Sequence, residues 1–415
     1  MTSTRRGACI ALGLSALFAG AAGVAGAAAQ TIAITGGTVH PVAGPPIENG
    51  VVLMEDGRIV AVGPAAEVPV GDAAIVDATG KVVTPGLIEA GTQLGLVEVG
   101  AVASTRHGSL DRGANRSAFR VSDGLDPRSM LFAIARADGV TGAITSPTGG
   151  VLSGQGAALT TLGATRAEVL FRDPVALYAS LGPGPGAAAG GSRAGAVMEL
   201  REALEDARDE VDDVEEDAGE PGQAAVAAVL AGEIPLIVRA SGATDIEMAL
   251  EIQAEYGFRM VIDGGEEAWL LAERLAAAGV PVMVRALANL PTQFDRLSTR
   301  YENPGLLSAA GVDVILTTQS SHRVGQVTHE AGNAVRYGMD WDDALEAITL
   351  APARAFGIDD AVGSLEPGKR ANVVIWSDDP LDFVGYAETV FIDGRQVDTT
   401  SRQLQLFERY RRIDP

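Results

Sequence analysis

From residue 31 the chain runs in short stretches where β-branched and polar residues alternate. TIAITGGTVHPV, GVVLMEDGRIVAVGP and AAIVDATGKVVTPGL are punctuated by Asp56-Gly57 and Thr79-Gly80. A period of two predicts strands with one buried face, and Asp-Gly between two such runs predicts a tight hairpin. The texture returns near the C-terminus in KRANVVIWSDD and AETVFIDGRQV, with a turn predicted at Asp393-Gly394. Two β-rich ends around a long middle predict one small β-sandwich built from both, residues 30–85 with 362–398. Residues 399–415 are left as a C-terminal tail.

The middle has a longer rhythm. IPLIVRA (234–240) reads as a buried strand, TDIEMALEIQAEYG as a helix, RMVIDGG as a strand and EEAWLLAERLAAAG as a helix. VPVMVRAL and VDVILTT (312–318) are strands again. Strands and helices in alternation predict parallel strands joined by crossover helices. Residues 86–361 have the length of a (β/α)8 TIM-like barrel, expected to hold eight parallel strands. A doubly wound sheet shares this periodicity, but no Gly-rich phosphate loop follows any strand. The fold class is therefore α/β, a barrel plus a small sandwich.

Residues 1–29 read as an export signal: Arg5 and Arg6, an apolar run, then Ala27-Ala28-Ala29 before Gln30. The expected location is periplasmic or secreted. Paired arginines leave open a twin-arginine route, with ordinary secretion preferred. The single cysteine, Cys9, falls inside that signal, so a mature chain has no disulfide and no thiolate chemistry. Net charge is −23, and removing Arg5 and Arg6 takes it to −25. That balance argues against nucleic acid or an anionic membrane as partner.

MELREALEDARDEVDDVEEDAGE (198–220) follows a Gly-rich loop at 182–195. Its carboxylates lack the spacing and central Gly of a calcium loop. A solvent-facing helix with few apolar positions to bury is expected, with Arg201 and Arg208 as local partners.

TPGLIEAGTQ (84–93) resembles the segment that opens the barrel in the amidohydrolase superfamily, where P-G-L-I-D precedes an H-x-H pair. VIDGGEEAW, AGVPVMV, EAGNAVRYGMDWDDALEAITLAPARAFGI and GSLEPGKRANVVIWSDDPL extend the likeness over nearly the whole chain after residue 30. It is similar above all to the imidazolonepropionase-like branch with exported members. The resemblance implies hydrolysis of C–N bonds at zinc or another divalent metal. Such a metal lowers the pKa of bound water from about 15.7 to about 7.

By the same resemblance, the ligand positions hold other residues. Gly91 and Gln93 stand at H-x-H, Arg239 and Gly264 at the next two histidines, and Gln319 at the aspartate. The chain's two lysines, Lys81 and Lys369, fall in the sandwich, so the barrel holds no lysine to be carboxylated. No metal is expected. Two readings follow. One is a non-catalytic scaffold for a small-molecule ligand, or a subunit partner of an active relative. The other is a hydrolase of non-peptide or dipeptide C–N bonds with a non-standard or metal-independent site.

Candidate chemistry beyond that set is thin. His40, His107, His322 and His329 are the only histidines, each expected to be structural, with His322 nearest the barrel mouth. Glu98, Glu266, Glu267 and His322 are candidate acids or bases, while Glu266 and Glu267, in the first turn of a helix, also favour its dipole. In SPTGGVLSGQGA (146–157), Gly154 and Gln155 either contribute to an anion-binding loop or belong to a tight turn between strands. Arg239, Gln93 and Gln319 complete the candidate binding residues. A guanidinium at the mouth needs a partner, and Glu98, Asp263, Glu266 and Glu267 are the carboxylates in reach.

Overall fold

The computed structural model describes residues 31–411 except 111–112, 114, 183–190, 213–220, 289 and 401. The export signal, part of the Gly-rich loop and the end of the acidic stretch lie outside the described residues.

The chain enters through five strands: β1 (Ile32–Val39), β2 (Ile47–Glu55), β3 (Arg58–Pro64), β4 (Ala74–Asp77) and β5 (Val82–Pro85). The β2–β3 turn is the two residues Asp56 and Gly57, at φ 50° and 79°. Positive φ at both central residues matches the right-handed twist of the hairpin and explains the Asp-Gly pair. The barrel strands follow: β6 (Leu87–Thr92), β7 (Val140–Thr145), β8 (Leu152–Thr160), β9 (Leu170–Ser180), β10 (Leu236–Ala240), β11 (Met260–Gly264), β12 (Val282–Val284) and β13 (Val314–Leu316). The chain returns through β14 (Val373–Trp376), β15 (Ala387–Ile392) and β16 (Arg395–Gln396).

Both ends share one sheet, ordered β16-β15-β14-β5-β1-β2-β3, with β4 beside β1. The link is antiparallel pairing of β14 with β5, Val374 opposite Thr84. Ile34, Val52, Met54, Val83, Val373 and Phe391 bury one face of it.

The barrel sheet runs β13-β12-β11-β10-β9-β8-β7-β6. It departs from the eight parallel strands expected, because β8 pairs antiparallel with both β7 and β9. The cause lies in SPTGGVLSGQGA. Gly149 and Gly150, at φ 90° and 75°, turn the chain straight back, so this segment is the tight turn between strands that was one of its two expected readings. Alternation then divides the core: Ile88, Ile144, Tyr178, Ile237, Val261, Met283 and Ile315 fill the barrel. Leu236, Val238, Ile262 and Leu316 face the surrounding helices.

The acidic helix, Arg193–Asp212, corrects a second expectation. Ala196, Leu200, Ala203, Leu204 and Ala207 are buried in the main core, a stripe at helical spacing that the surrounding carboxylates obscure in the sequence. Arg201 pairs with Glu255 at 2.8 Å, and the Arg208 guanidinium lies 5.6 Å from the centre of the Tyr256 ring.

Candidate functional site

The C-terminal ends of the barrel strands meet around one opening. Arg239 shares the inward parity of Ile237, and Asp263 that of Val261. The strands β10 and β11 run parallel with Arg239 opposite Asp263, so the two side chains are neighbours by construction. Nε and Nη2 of Arg239 donate to Asp263 Oδ2 at 3.0 and 2.8 Å. Oδ1 accepts from Gln319 Nε2 at 2.6 Å. The result is a clamp joining β10, β11 and the loop after β13. The Asp263 side chain is 2% exposed and that of Arg239 is 37% exposed, and the carboxylate raises the guanidinium's pKa further. Of the four carboxylates in reach by sequence, Asp263 is the partner. Gln319 sits at φ 49°, a left-handed conformation that costs a non-glycine residue about 1 kcal/mol or more.

The other expected site positions are spoken for differently. A Cβ on Gly91 would meet Thr317 Oγ1 at 2.8 Å. Gly264 has φ 108° and faces Glu266 Oε2 and Ser241 Oγ, each 3.2 Å from where its Cβ would be. Gln93 turns toward the β7–β8 hairpin, its Nε2 at 3.4 Å from both Ser146 O and Thr148 Oγ1. Gln155 donates from Nε2 to Ser117 O at 2.8 Å. A Cβ on Gly154 would lie 2.5 Å from Phe119 O. Both residues hold the segment around Ser117–Arg120 against β8. Glu98 accepts from Ser129 Oγ, and its carbonyl oxygen is 2.9 Å from His322 Nε2, so neither side chain reaches the clamp.

The remaining histidines are dispersed. The His40 ring lies 4.5 Å from that of Trp341, tilted by 48°, and burial lowers its pKa. His329 lies against Phe383, and His107 is exposed. Among the described residues, no group of three or more His, Cys, Asp or Glu is arranged to hold a metal ion.

Two features of the mouth go beyond the candidates. The first is the seam between β6 and β13, which no strand ladder closes. There Glu89, fully buried, accepts hydrogen bonds from Thr317 Oγ1, Thr318 N, Thr318 Oγ1 and Gly91 N. Burial pushes its carboxyl up to about 7, against the pull of those donors. The signal was present in the sequence: a lone acid inside the apolar run GLIEAG. The second is a cavity of about 280 Å³ beside the clamp, lined by Arg285, Arg296, Arg323, Glu266, Thr318 and Glu330 among others. Arg285 directly follows β12, and Arg296 and Arg323 sit on loops after β12 and β13, all on the functional face of a barrel. Glu266 pairs with Arg296. Glu330 accepts from Leu287 N at 2.9 Å, and burial raises its pKa. Glu267 caps the helix Ala243–Tyr256, accepting from Ala243 N at 3.0 Å.

An eight-stranded barrel sheet with its polar residues at the C-terminal strand ends, joined to a sheet from both termini, defines the class. The amidohydrolase family pattern matches residues 203–401. An imidazolonepropionase of Rhizorhabdus wittichii is 28% identical over 368 residues, 80% of this chain and 88% of that one. The crystal structure of an amidohydrolase from Thermotoga maritima superposes with a TM-score of 0.82 at 30% identity, covering 88% of this chain and 99% of that one. A prolidase complexed with N-methylphosphonate-L-proline shares the fold at TM-score 0.56 and 16% identity, over 89% of this chain and 100% of that one. The chain belongs to the amidohydrolase superfamily, as an imidazolonepropionase-like member.

Proposed function

We propose that this chain is a non-catalytic member of its superfamily, its barrel kept as a binding scaffold for a small molecule. The observation that carries this reading is the clamp of Arg239, Asp263 and Gln319 across the mouth. In the family this is where a metal-bound water is made. Here the residues do not fit a metal: the buried carboxylate of Asp263 has its oxygens engaged by Arg239 and Gln319, and a fixed positive charge stands beside it. Gly264 at φ 108° adds a backbone that would strain any histidine placed there. Fold kinship alone does not carry the relatives' activity across. An arginine-lined cavity beside the clamp supports binding as the retained role. The export signal expected at residues 1–29 supports placing the scaffold outside the cytoplasm, alone or beside an active relative.

The test is turnover. Purified full-length or processed chain, with and without added zinc, is assayed against amides, lactams, dipeptides and imidazolone-propionate. No substrate is expected to turn over above background. Hydrolysis that persists through purification and is lost in Asp263→Asn would overturn the reading.

A further inference from the structure

Residues 399–415 reverse the charge of the chain: they hold four arginines against two carboxylates, in a protein whose net charge is −23. Within them lies the helix Arg402–Tyr410. Leu406 and Phe407 stand four and three positions before Tyr410, so the three side chains share one side of the helix. They are 41%, 60% and 63% exposed. Arg411 pairs with Glu408 at 2.7 Å, and Arg409 lies 5.4 Å from the centre of the Tyr410 ring with no ion pair among the described residues. A helix this short is marginal in water on its own, and its apolar side has nothing over it.

Away from the barrel mouth, the helices Arg193–Asp212 and Ala243–Tyr256 leave a groove of about 710 Å³ between them. Leu181, Val197, Met198 and Met248 give it an apolar lining, and the two methionines can adapt to an irregular occupant. Its rim is acidic. Arg193 is held by Asp245 at 2.6 Å and Arg201 by Glu255 at 2.8 Å. Glu202 has no cationic partner among the described residues, and Glu205 has only the Tyr256 hydroxyl at 3.2 Å. At 1.5 Å per residue, the wall from Ala194 to Glu205 is about 17 Å long and the helix Arg402–Tyr410 about 13 Å.

We propose that this groove receives the helix Arg402–Tyr410 of a second copy of the chain, so that two copies exchange helices about a two-fold axis. Leu406, Phe407 and Tyr410 cover the apolar lining, which removes both surfaces from water. Arg402 and Arg409 approach the free carboxylates of Glu202 and Glu205, which sets orientation and partner choice. Within one copy the helix stands clear of the groove, since none of its residues lines the cavity. The charge pattern selects this occupant over two others. Pairing of two such helices with each other would set arginines against arginines, and an anionic membrane would repel the acidic body that carries the helix.

Sedimentation equilibrium of the processed chain over a concentration series tests this. A reversible dimer is expected, of micromolar strength because each exchanged helix is a small contact. Phe407→Ser and Met198→Glu should each weaken it at least tenfold, the effect of one buried apolar side chain at each of two contacts. Arg409→Glu should weaken it several-fold. At a dilution where the wild type is monomeric, all three variants should melt with it, because these side chains are exposed in the single copy. A benzophenone amino acid in place of Phe407, in a mixture of isotope-labelled and unlabelled chains, should couple on illumination to the groove helices of the other copy. A chain monomeric at every concentration, or a dimer unaffected by both Phe407→Ser and Met198→Glu, would overturn the proposal. So would crosslinks confined to one copy or running from helix to helix, or a monomer that instead sediments with phosphatidylglycerol vesicles.

Discussion

Removing Arg239 while keeping its bulk asks what the clamp contributes. In Arg239→Met the stem is preserved, but Asp263, 2% exposed, loses both guanidinium hydrogen bonds and keeps only Gln319. Removing one partner of a fully buried pair costs about 3–5 kcal/mol, because the survivor is a desolvated charge. Arg239 is itself 37% exposed, so solvent already weakens the pair, and about 2–3 kcal/mol is the expected loss. The reverse change, Asp263→Asn, leaves the arginine partly hydrated and should cost only about 1–2 kcal/mol. The double variant Arg239→Met/Asp263→Asn should lie closer to wild type than Arg239→Met, since no unpaired buried charge remains. Urea unfolding of the three variants at one pH measures the cycle. If Asp263→Asn costs as much as Arg239→Met, or the two losses simply add, the clamp is not a buried charge pair and the reasoning is wrong.

Other outcomes follow from the same mouth. Burial pushes the Glu89 carboxyl from its ordinary 4.5 up to about 7, so its protonated form is the one folding favours. Stability from this group is full below about pH 4.5 and falls as pH rises through 7, by about 3 kcal/mol. Melting curves from pH 5 to 8 should show that slope in wild type and a flatter one in Glu89→Gln; a rise with pH would contradict the assignment. Gly264→His should destabilise by about 1–3 kcal/mol through its positive φ, and a neutral effect on the urea midpoint would show that the backbone there relaxes freely. Leu204→Ala should cost about 2–4 kcal/mol, because the acidic helix buries that side chain; a loss below about 0.5 kcal/mol would return that helix to the solvent.

Much of this was readable from residue order, for identifiable reasons. Asp56-Gly57 and Asp393-Gly394 are turns because two consecutive residues take positive φ. The inward aim of Arg239 follows from period two, and its partner from the parallel register with β11. What was not readable depended on long-range assembly. The role of Glu89 exists only where β6 meets the end of β13, 228 positions later in the chain. Arg285, Arg296 and Arg323 lie on loops, where periodicity says nothing about which side chains converge. The apolar stripe of the acidic helix was masked by charges on the faces around it. The antiparallel β8 was hidden because the glycines of its hairpin serve a turn and an anion loop equally well.

The most direct test of the central claim is metal content. The full chain, expressed in zinc-supplemented medium and passed through a desalting column, is measured for zinc, iron and manganese by mass spectrometry. With Arg239 and Gln319 occupying Asp263, less than about 0.1 metal per chain is predicted, unchanged by prior treatment with a chelator. About one tightly held ion per chain, lost together with stability on chelation, would contradict the account.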